Sequence, residues 1–360
     1  MPSVVAASDY GVVNVRVRAR RAGMLTPETW NRLCTAQGFD SFLAVLADTA
    51  YGPSLQIDRS LLTPRRTAYQ IRKRLADAYD MVIESVPKRG RDLAVQLGRL
   101  FEIDNLKAIL RGLAAGATWD QVRFVLSPLG SSSLLPSERM LQTGDIEKAI
   151  DELRDTPYYD TLSHALERYR AEKSLFPLEV ALDLDYMREL WTRVNALSGE
   201  DYRQVIRIVG LLVDSTNLLW AIRYRVYHDL SEEETINYTL PFGYLVRDAD
   251  IRSIASGGDM ANPIQRLFPR FSDAPALLLD PRSGLHELEI RLQREIAKEC
   301  QAAFLGFPFH LGVPVAYLLL KEYEVQDIIV LIEGKTARMP REALEPHLVL
   351  GMARPGSRST

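Results

Sequence analysis

The sequence predicts an all-α fold built from three repeated helical units with pseudo-threefold symmetry. Two observations carry that prediction. The first is a helical phrase that occurs three times, over residues 102–111, 214–223 and 324–333. In each copy an acid (Glu102, Asp214, Glu324) is followed three residues later by Asn105, Asn217 or Asp327. An apolar residue comes next, and an apolar pair lies four and five residues beyond the Asn or Asp. Asn217 stands 112 residues after Asn105, and Asp327 stands 110 after Asn217. The second observation is that apolar residues recur at helical spacing through most of the chain, with no sustained strand alternation between hairpin turns. Short-period solenoids repeat every ~20–50 residues. The longer period here makes each unit a small bundle. Three such units suit a scaffold, or a collar around an axis, better than a single catalytic cleft.

The elements follow in order. Arg16, Arg18, Arg20 and Arg21 lie in one short N-terminal stretch, read as a solvated helix face. Thr26-Pro27-Glu28 opens a helix with a hydroxyl cap and a first-turn proline. Leu46-Ala47-Asp48-Thr49-Ala50-Tyr51 resembles Leu153-Arg154-Asp155-Thr156-Pro157-Tyr158, with Phe271 at roughly the corresponding place in the third unit. Thr63-Pro64-Arg65 starts a long helix, whose stripe runs through Leu75, Tyr79 and Val82. Pro87 and Gly90 are expected to end it, and a second helix runs over 91–113. Trp119-Asp120-Gln121 marks a new start with an early acid. Residues 127–137 read as a linker. Helices are expected over 159–169, 183–196 and, after Gly199, 204–225. Ser231-Glu232-Glu233 starts another, and Pro241-Phe242-Gly243 breaks the chain again. Short helices near Asp250 and Ile264 precede a loop at 272–284. A long helix over 285–304 is interrupted by 307–314 and continues over 315–332, and Arg341-Glu342-Ala343 starts the last one. The expected divisions are 1–126, 137–239 and 240–350, with a disordered tail at 351–360.

Composition narrows the function. The chain has 360 residues, 47% hydrophobic and 25% charged, the profile of an ordinary globular protein. A net charge of −3 gives no electrostatic case for nucleic acid. Residues 1–10 lack the apolar core of a signal peptide. No apolar run, such as 208–213 or 315–320, approaches the ~18 residues of a membrane span. Cys34 and Cys300 have no partners in sequence, which fits a reducing cytoplasmic setting.

Known chemistries find no foothold. Gly334-Lys335-Thr336 looks like the end of a phosphate loop, but the earlier glycine position holds Ile329 and the tripeptide closes a helix instead of opening one. It reads as a helix C-cap with a dipole-matched cation. The five histidines are scattered, and His286-Glu287 has no second His at helical spacing. Zinc-ligand spacings around the cysteines are absent. Glu232-Glu233-Glu234 is a solvated helix start. No catalytic residue, metal ligand or cofactor is therefore expected. The repeated polar positions admit two readings. In one, Asn105, Asn217 and Asp327 hydrogen-bond neighbouring backbone where equivalent helices approach. In the other, Glu102, Asp214 and Glu324 line a shared cavity with Arg111 and Arg223.

A family resemblance then emerges. Phe307-Pro308-Phe309-His310-Leu311-Gly312-Val313-Pro314-Val315-Ala316-Tyr317, followed by Leu320-Lys321-Glu322-Tyr323-Glu324 and Asp327-Ile328, resembles the C subunit of the V-type (A-type) ATP synthases, whose eukaryotic counterpart is the d subunit of the vacuolar ATPase. Asn14-x-Arg16-x-Arg18-Ala19, Gly23-Met24-Leu25-Thr26, Thr49-Ala50-Tyr51-Gly52 and Ile103-Asp104-Asn105-Leu106 are similar to it as well. The resemblance covers about residues 10–350. Asp327 departs from the family's usual asparagine, and Glu333 replaces the arginine of the first two copies. The resemblance implies an all-helical, funnel-shaped body of three subdomains without bond chemistry. It implies a seat on the ring of membrane proteolipids and a socket for the rotor shaft of subunits D and F. The competing readings are a helical scaffold unrelated to rotary motors and a hydrolase with an unrecognised site.

Overall fold

The computed structural model describes residues 4–58, 61–130, 133–228, 230–269, 271 and 274–351. No strand occurs among them. The helices are α1 (Val4–Ala22), α2 (Pro27–Thr35), α3 (Gly38–Ala47), α4 (Pro64–Ser85), α5 (Lys88–Ala114), α6 (Trp119–Val122), α7 (Ser137–Gln142), α8 (Ile146–Asp151) and α9 (Tyr159–Glu172). They continue with α10 (Phe176–Asn195), α11 (Gly199–Tyr227), α12 (Glu232–Asn237), α13 (Asp248–Ala255), α14 (Ala261–Leu267), α15 (Ala274–Leu279), α16 (Pro281–Ala302), α17 (Gly312–Thr336) and α18 (Arg341–Leu344). The tail expected to be disordered lies, beyond Gly351, outside the described residues.

Local chemistry starts several of these helices. Thr26 Oγ1 accepts from the Thr29 amide at 3.2 Å, with Pro27 in the first turn of α2. Ser231 and Glu234 cap each other reciprocally at the start of α12. Three expectations about punctuation are corrected. Gly90 does not end a helix. It lies in the first turn of α5, where a Cβ would meet Leu311 Cδ1 at 2.6 Å, so the glycine answers a packing demand. Residues 274–279 and those from 281 onward are helical, not loop, because Pro281 sits where a first turn needs no amide donor. Gly334 is inside α17, where a Cβ would collide with Leu344 Cδ2 at 2.1 Å. The left-handed cap is Arg338 (φ 55°), and Met339 N donates to Gly334 O at 2.8 Å in a Schellman turn.

The chain divides into two compact units. The first takes the described residues of 1–53, 85–90 and 194–360. Its long helices α11, α16 and α17 pack together; α12 and α13 cover α11, and α1 and α3 cover α17. Its core includes Val209, Leu218, Ile222, Leu288, Leu292, Leu318 and Ile328. The second unit takes 54–84 and 91–193, with Ile71, Leu93, Leu97, Leu106, Ile109, Leu162 and Leu190 buried.

Helix α11 differs from expectation. Among the described residues it is the one helix long and apolar enough to cross a membrane. Yet 83% of that apolar stretch is buried within the protein. A helix covered by neighbours on several sides is apolar nearly all round, which explains the composition. Helix α17 is buried over most of its length as well, with Gln326, Glu333 and Thr336 exposed.

Candidate functional site

The three repeated phrases fall on α5, α11 and α17, and each buries its acid and its amide or second acid. In the second unit, Asn105 on α5 uses both ends of its amide on one residue. Its Oδ1 accepts from Ser127 N at 2.7 Å, and its Nδ2 donates to Ser127 O at 2.9 Å. One helical turn earlier, Glu102 accepts from the Leu134 amide and from the Tyr158 hydroxyl, each at 2.5 Å. Burial, then the Glu102 carboxylate, pushes the Tyr158 phenol up.

In the first unit, Asn217 on α11 repeats the amide clamp on Leu240, accepting from its N at 2.8 Å and donating to its O at 2.9 Å. Asp214 is a carbon shorter than Glu102 and accepts three backbone amides: Tyr244 at 2.8 Å, Leu245 at 2.6 Å and Val246 at 3.2 Å. The loop can come so close because Gly243 has no Cβ; one built there would lie 2.3 Å from Asp214 Oδ1. Burial pushes the Asp214 carboxyl up, against the pull of those amides.

The copy on α17 changes the amide to an acid, and its partners change accordingly. Asp327 accepts from Val349 N at 2.7 Å, Leu350 N at 2.7 Å and Gly351 N at 2.9 Å. Burial still pushes its carboxyl up to about 6. Arg294 takes the other polarity of the same segment, donating to Leu348 O at 2.7 Å and Pro346 O at 2.9 Å. Glu324 accepts from Tyr51 Oη, Leu25 N and Lys321 Nζ, each at 2.7 Å. Lys321 also donates to Tyr51 Oη at 2.7 Å.

The pairing of these groups is only partly visible in the sequence. Tyr51 and Tyr158 end the second repeated motif, but nothing in sequence links them to the acids. Chain order puts each with the phrase that follows it. Instead Tyr158 serves Glu102, which precedes it, and Tyr51 serves Glu324, 273 residues later. In the middle copy Asp214 takes three backbone amides instead of a tyrosine hydroxyl. Lys321 stands out in sequence only as part of a lysine–glutamate helix.

The two arginines that close the first two phrases form ion pairs inside their own units. Arg111 meets Glu179 through Nε at 2.6 Å and Nη2 at 2.8 Å. Arg223 meets Glu289 through Nη2 at 3.2 Å. Glu333, in the third copy, is exposed. The Gly334-Lys335-Thr336 stretch is committed locally: Lys335 is buried and donates to Cys34 O at 2.5 Å, and Thr336 Oγ1 donates to Ile332 O at 2.7 Å. No three of His, Cys, Asp and Glu converge in metal-binding geometry among the described residues. The arrangement as a whole is mechanical: buried carboxylates and amides fasten the segment that follows, or the N-terminal segment, onto each long helix.

Similarity to known proteins runs along most of the chain. The family described as ATP synthase (C/AC39) subunit matches residues 13–346. The C subunit of the A-type ATP synthase of Methanocaldococcus jannaschii is 22% identical over 351 residues, covering 96% of this chain and 88% of that protein. Its namesake from Haloferax volcanii is 25% identical over 97% of this chain and 99% of that protein. That of Methanobrevibacter smithii is 27% identical over 76% of this chain and 70% of that protein. The chain belongs to the ATP synthase (C/AC39) subunit family.

Proposed function

We propose that this protein is a non-catalytic adaptor of the central stalk in a rotary A/V-type ATP synthase. It couples the rotor shaft of subunits D and F to the membrane proteolipid ring, for proton or sodium transport. The observation that carries this reading is the family match over residues 13–346, on a chain whose three long phrase helices each hold a buried acid clamp. The reading includes a funnel of three bundles, over 1–126, 137–239 and 240–350, and a place on the cytoplasmic face of the membrane reached through its partners. Torque transfer asks for stiffness and a broad interface, not for a reactive group. Buried carboxylates satisfied by backbone amides, tyrosine hydroxyls and a lysine supply stiffness. In this reading Glu102, Asn105, Asp214, Asn217, Glu324 and Asp327 hold the walls, and Arg111 and Arg223 brace them from outside.

The test is to assemble the complex with and without this chain and measure two rates in reconstituted membranes. ATP hydrolysis by the soluble head should persist without the chain, while ion pumping should be lost. Pumping that stays coupled without it would overturn the adaptor reading.

A further inference from the structure

Two of the five histidines meet ring to ring, although 61 residues separate them. His286 lies near the start of α16, and His347 ends the short 3-10 helix Glu345–His347. His286 Nε2 stands 2.7 Å from His347 Nδ1, and the ring centroids are 4.9 Å apart. Helical spacing in the sequence offers His286 no second histidine; the fold supplies one from a distant turn. The pair is open to solvent. A hydrogen bond between the two rings needs at least one of them neutral to accept. Burial, then its neighbour His286, pushes the His347 imidazole down. The backbone on both sides is fixed. Two turns along α16 from His286, Arg294 donates to Pro346 O at 2.9 Å and Leu348 O at 2.7 Å, the carbonyls flanking His347. Asp327 holds the next three amides, from Val349 to Gly351.

We infer that His286 and His347 form a two-histidine site for a divalent transition metal of the class that imidazole suits, zinc, copper or nickel, and that the bound ion staples the segment 345–351 to α16. The donor atoms select the class. Imidazole nitrogen suits these ions, whereas magnesium and calcium take oxygen ligands. The acids beside the two histidines in sequence are engaged elsewhere, Glu287 with Arg291 and Glu345 with Arg341. The distance fits as well. Two nitrogens each ~2.0–2.1 Å from one ion lie ~2.9 Å apart at a right angle and ~3.4 Å apart at the tetrahedral angle. The observed 2.7 Å is a few tenths of an ångström short of the first, a gap that side-chain rotation can open. Water fills the remaining positions, since no third His, Cys, Asp or Glu converges there among the described residues. Binding exchanges one solvent-exposed hydrogen bond for two metal–nitrogen bonds between the same elements. A metal site here needs neither shaft nor ring, so it stands or falls apart from the adaptor reading.

The experiment strips the full-length chain of metal with a chelator, then titrates it with Zn2+ by calorimetry and with Cu2+ by electron paramagnetic resonance. One equivalent should bind saturably, and the Cu2+ spectrum should carry two nitrogen ligands. His286→Gln and His347→Gln should each raise the Kd roughly tenfold or more, because one imidazole then holds the ion without its chelating partner. His164→Gln, a control on α9, should leave binding unchanged. Amide exchange over 345–351 should slow with Zn2+ in the native chain and in neither site variant. Melting of each metal-free variant is measured alongside; if one variant fails to fold, the other and the native Cu2+ spectrum still decide. Half-saturation only above ~1 mM would mark an adventitious surface ion and overturn the site. Binding that both site variants leave as tight would put the ion elsewhere and overturn it too. Tight binding at the two histidines with unchanged exchange over 345–351 would overturn the staple.

Discussion

Helices α11 and α17 carry the same phrase in the same unit, yet they fasten their neighbours by different chemistry. Asn217 offers one acceptor and one donor, and it closes on the N–H and C=O of a single residue, Leu240. Asp327 can only accept, and it gathers three successive amides from Val349, Leu350 and Gly351. The amide clamp is neutral and indifferent to pH. The carboxylate clamp puts a charge where none is solvated, and needs three dipoles and Arg294 behind the segment to keep it. One atom's difference therefore decides which backbone groups the next segment must present.

Exchanging the two residues tests this most severely. Asn217→Asp would set a buried carboxylate against the Leu240 carbonyl that Asn217 now satisfies. An unpartnered buried charge costs roughly 3–5 kcal/mol. Urea unfolding should show a loss of that size at pH 7. A loss below ~1 kcal/mol would mean that the loop rearranges freely and that the amide pairing is not specific.

Asp327→Asn is the reverse exchange, and smaller. It sets an NH2 group against amide donors, most damagingly in place of Oδ2, which accepts from Leu350 and Gly351. It also removes the burial cost of the charge. The net expectation is a loss of ~2 kcal/mol at pH 7, since unsatisfied buried donors cost ~1–3 kcal/mol each. The pH dependence carries more information. Burial holds Asp327 up to about 6, above the ~3.9 of an exposed aspartate. The folded state therefore binds this proton more tightly than the unfolded state. The stability it contributes is fully present below about pH 4 and is lost as pH rises through about 6, by at most ~3 kcal/mol. Asp327→Asn should abolish that slope, so the gap between variant and native should widen from pH 7 to pH 4. Parallel pH profiles would show that Asp327 is ionised throughout.

Much of the architecture can be read from sequence, because amphipathic spacing and helix starts are local. Thr26-Pro27 and Ser231-Glu232-Glu233 announce their helices; Thr26 caps as expected, and the reciprocal Ser231–Glu234 cap adds to the early acids. The phrase positions also show themselves, since a repeated polar residue on an apolar face demands partners. What stays hidden is non-local. Tyr51 reaches Glu324 across 273 residues, and no spacing rule points there. Gly90, Gly243 and Gly334 look like chain punctuation, but each makes room for a group from elsewhere: Leu311, Asp214 and Leu344. Burial likewise turns α11 into a stretch apolar enough to suggest a membrane, with 83% of it inside the protein.

The acids of the three copies give a third contrast, between hydroxyl and backbone donors. Tyr158→Phe would leave Glu102 with the Leu134 amide, a loss of roughly 1.5–2 kcal/mol for a hydrogen bond to a charge. Tyr51→Phe should cost at least as much, roughly 2 kcal/mol, because it takes one bond from Glu324 and one from the buried Lys321. Asp214, already served by three amides, has no tyrosine partner to lose. A clearly smaller loss for Tyr51→Phe would mean that Lys321 does not depend on the Tyr51 hydroxyl.

The smallest effect lies at the outer arginines. Arg111 grips Glu179 with two nitrogens, at 2.6 and 2.8 Å, while Arg223 touches Glu289 with one, at 3.2 Å. Both guanidiniums are substantially exposed, 63% and 40% of their side-chain surface, so solvent screens both pairs. Exposed pairs contribute ~0–1 kcal/mol, with bidentate geometry at the upper end. Arg111→Gln should therefore cost ~0.5–1 kcal/mol and Arg223→Gln less, with the first loss shrinking in high salt as screening grows. Thermal melts at low and high salt would resolve the order. If Arg223→Gln proved the costlier change, its value would have to come from its aliphatic stem packed on α11, not from the carboxylate it meets.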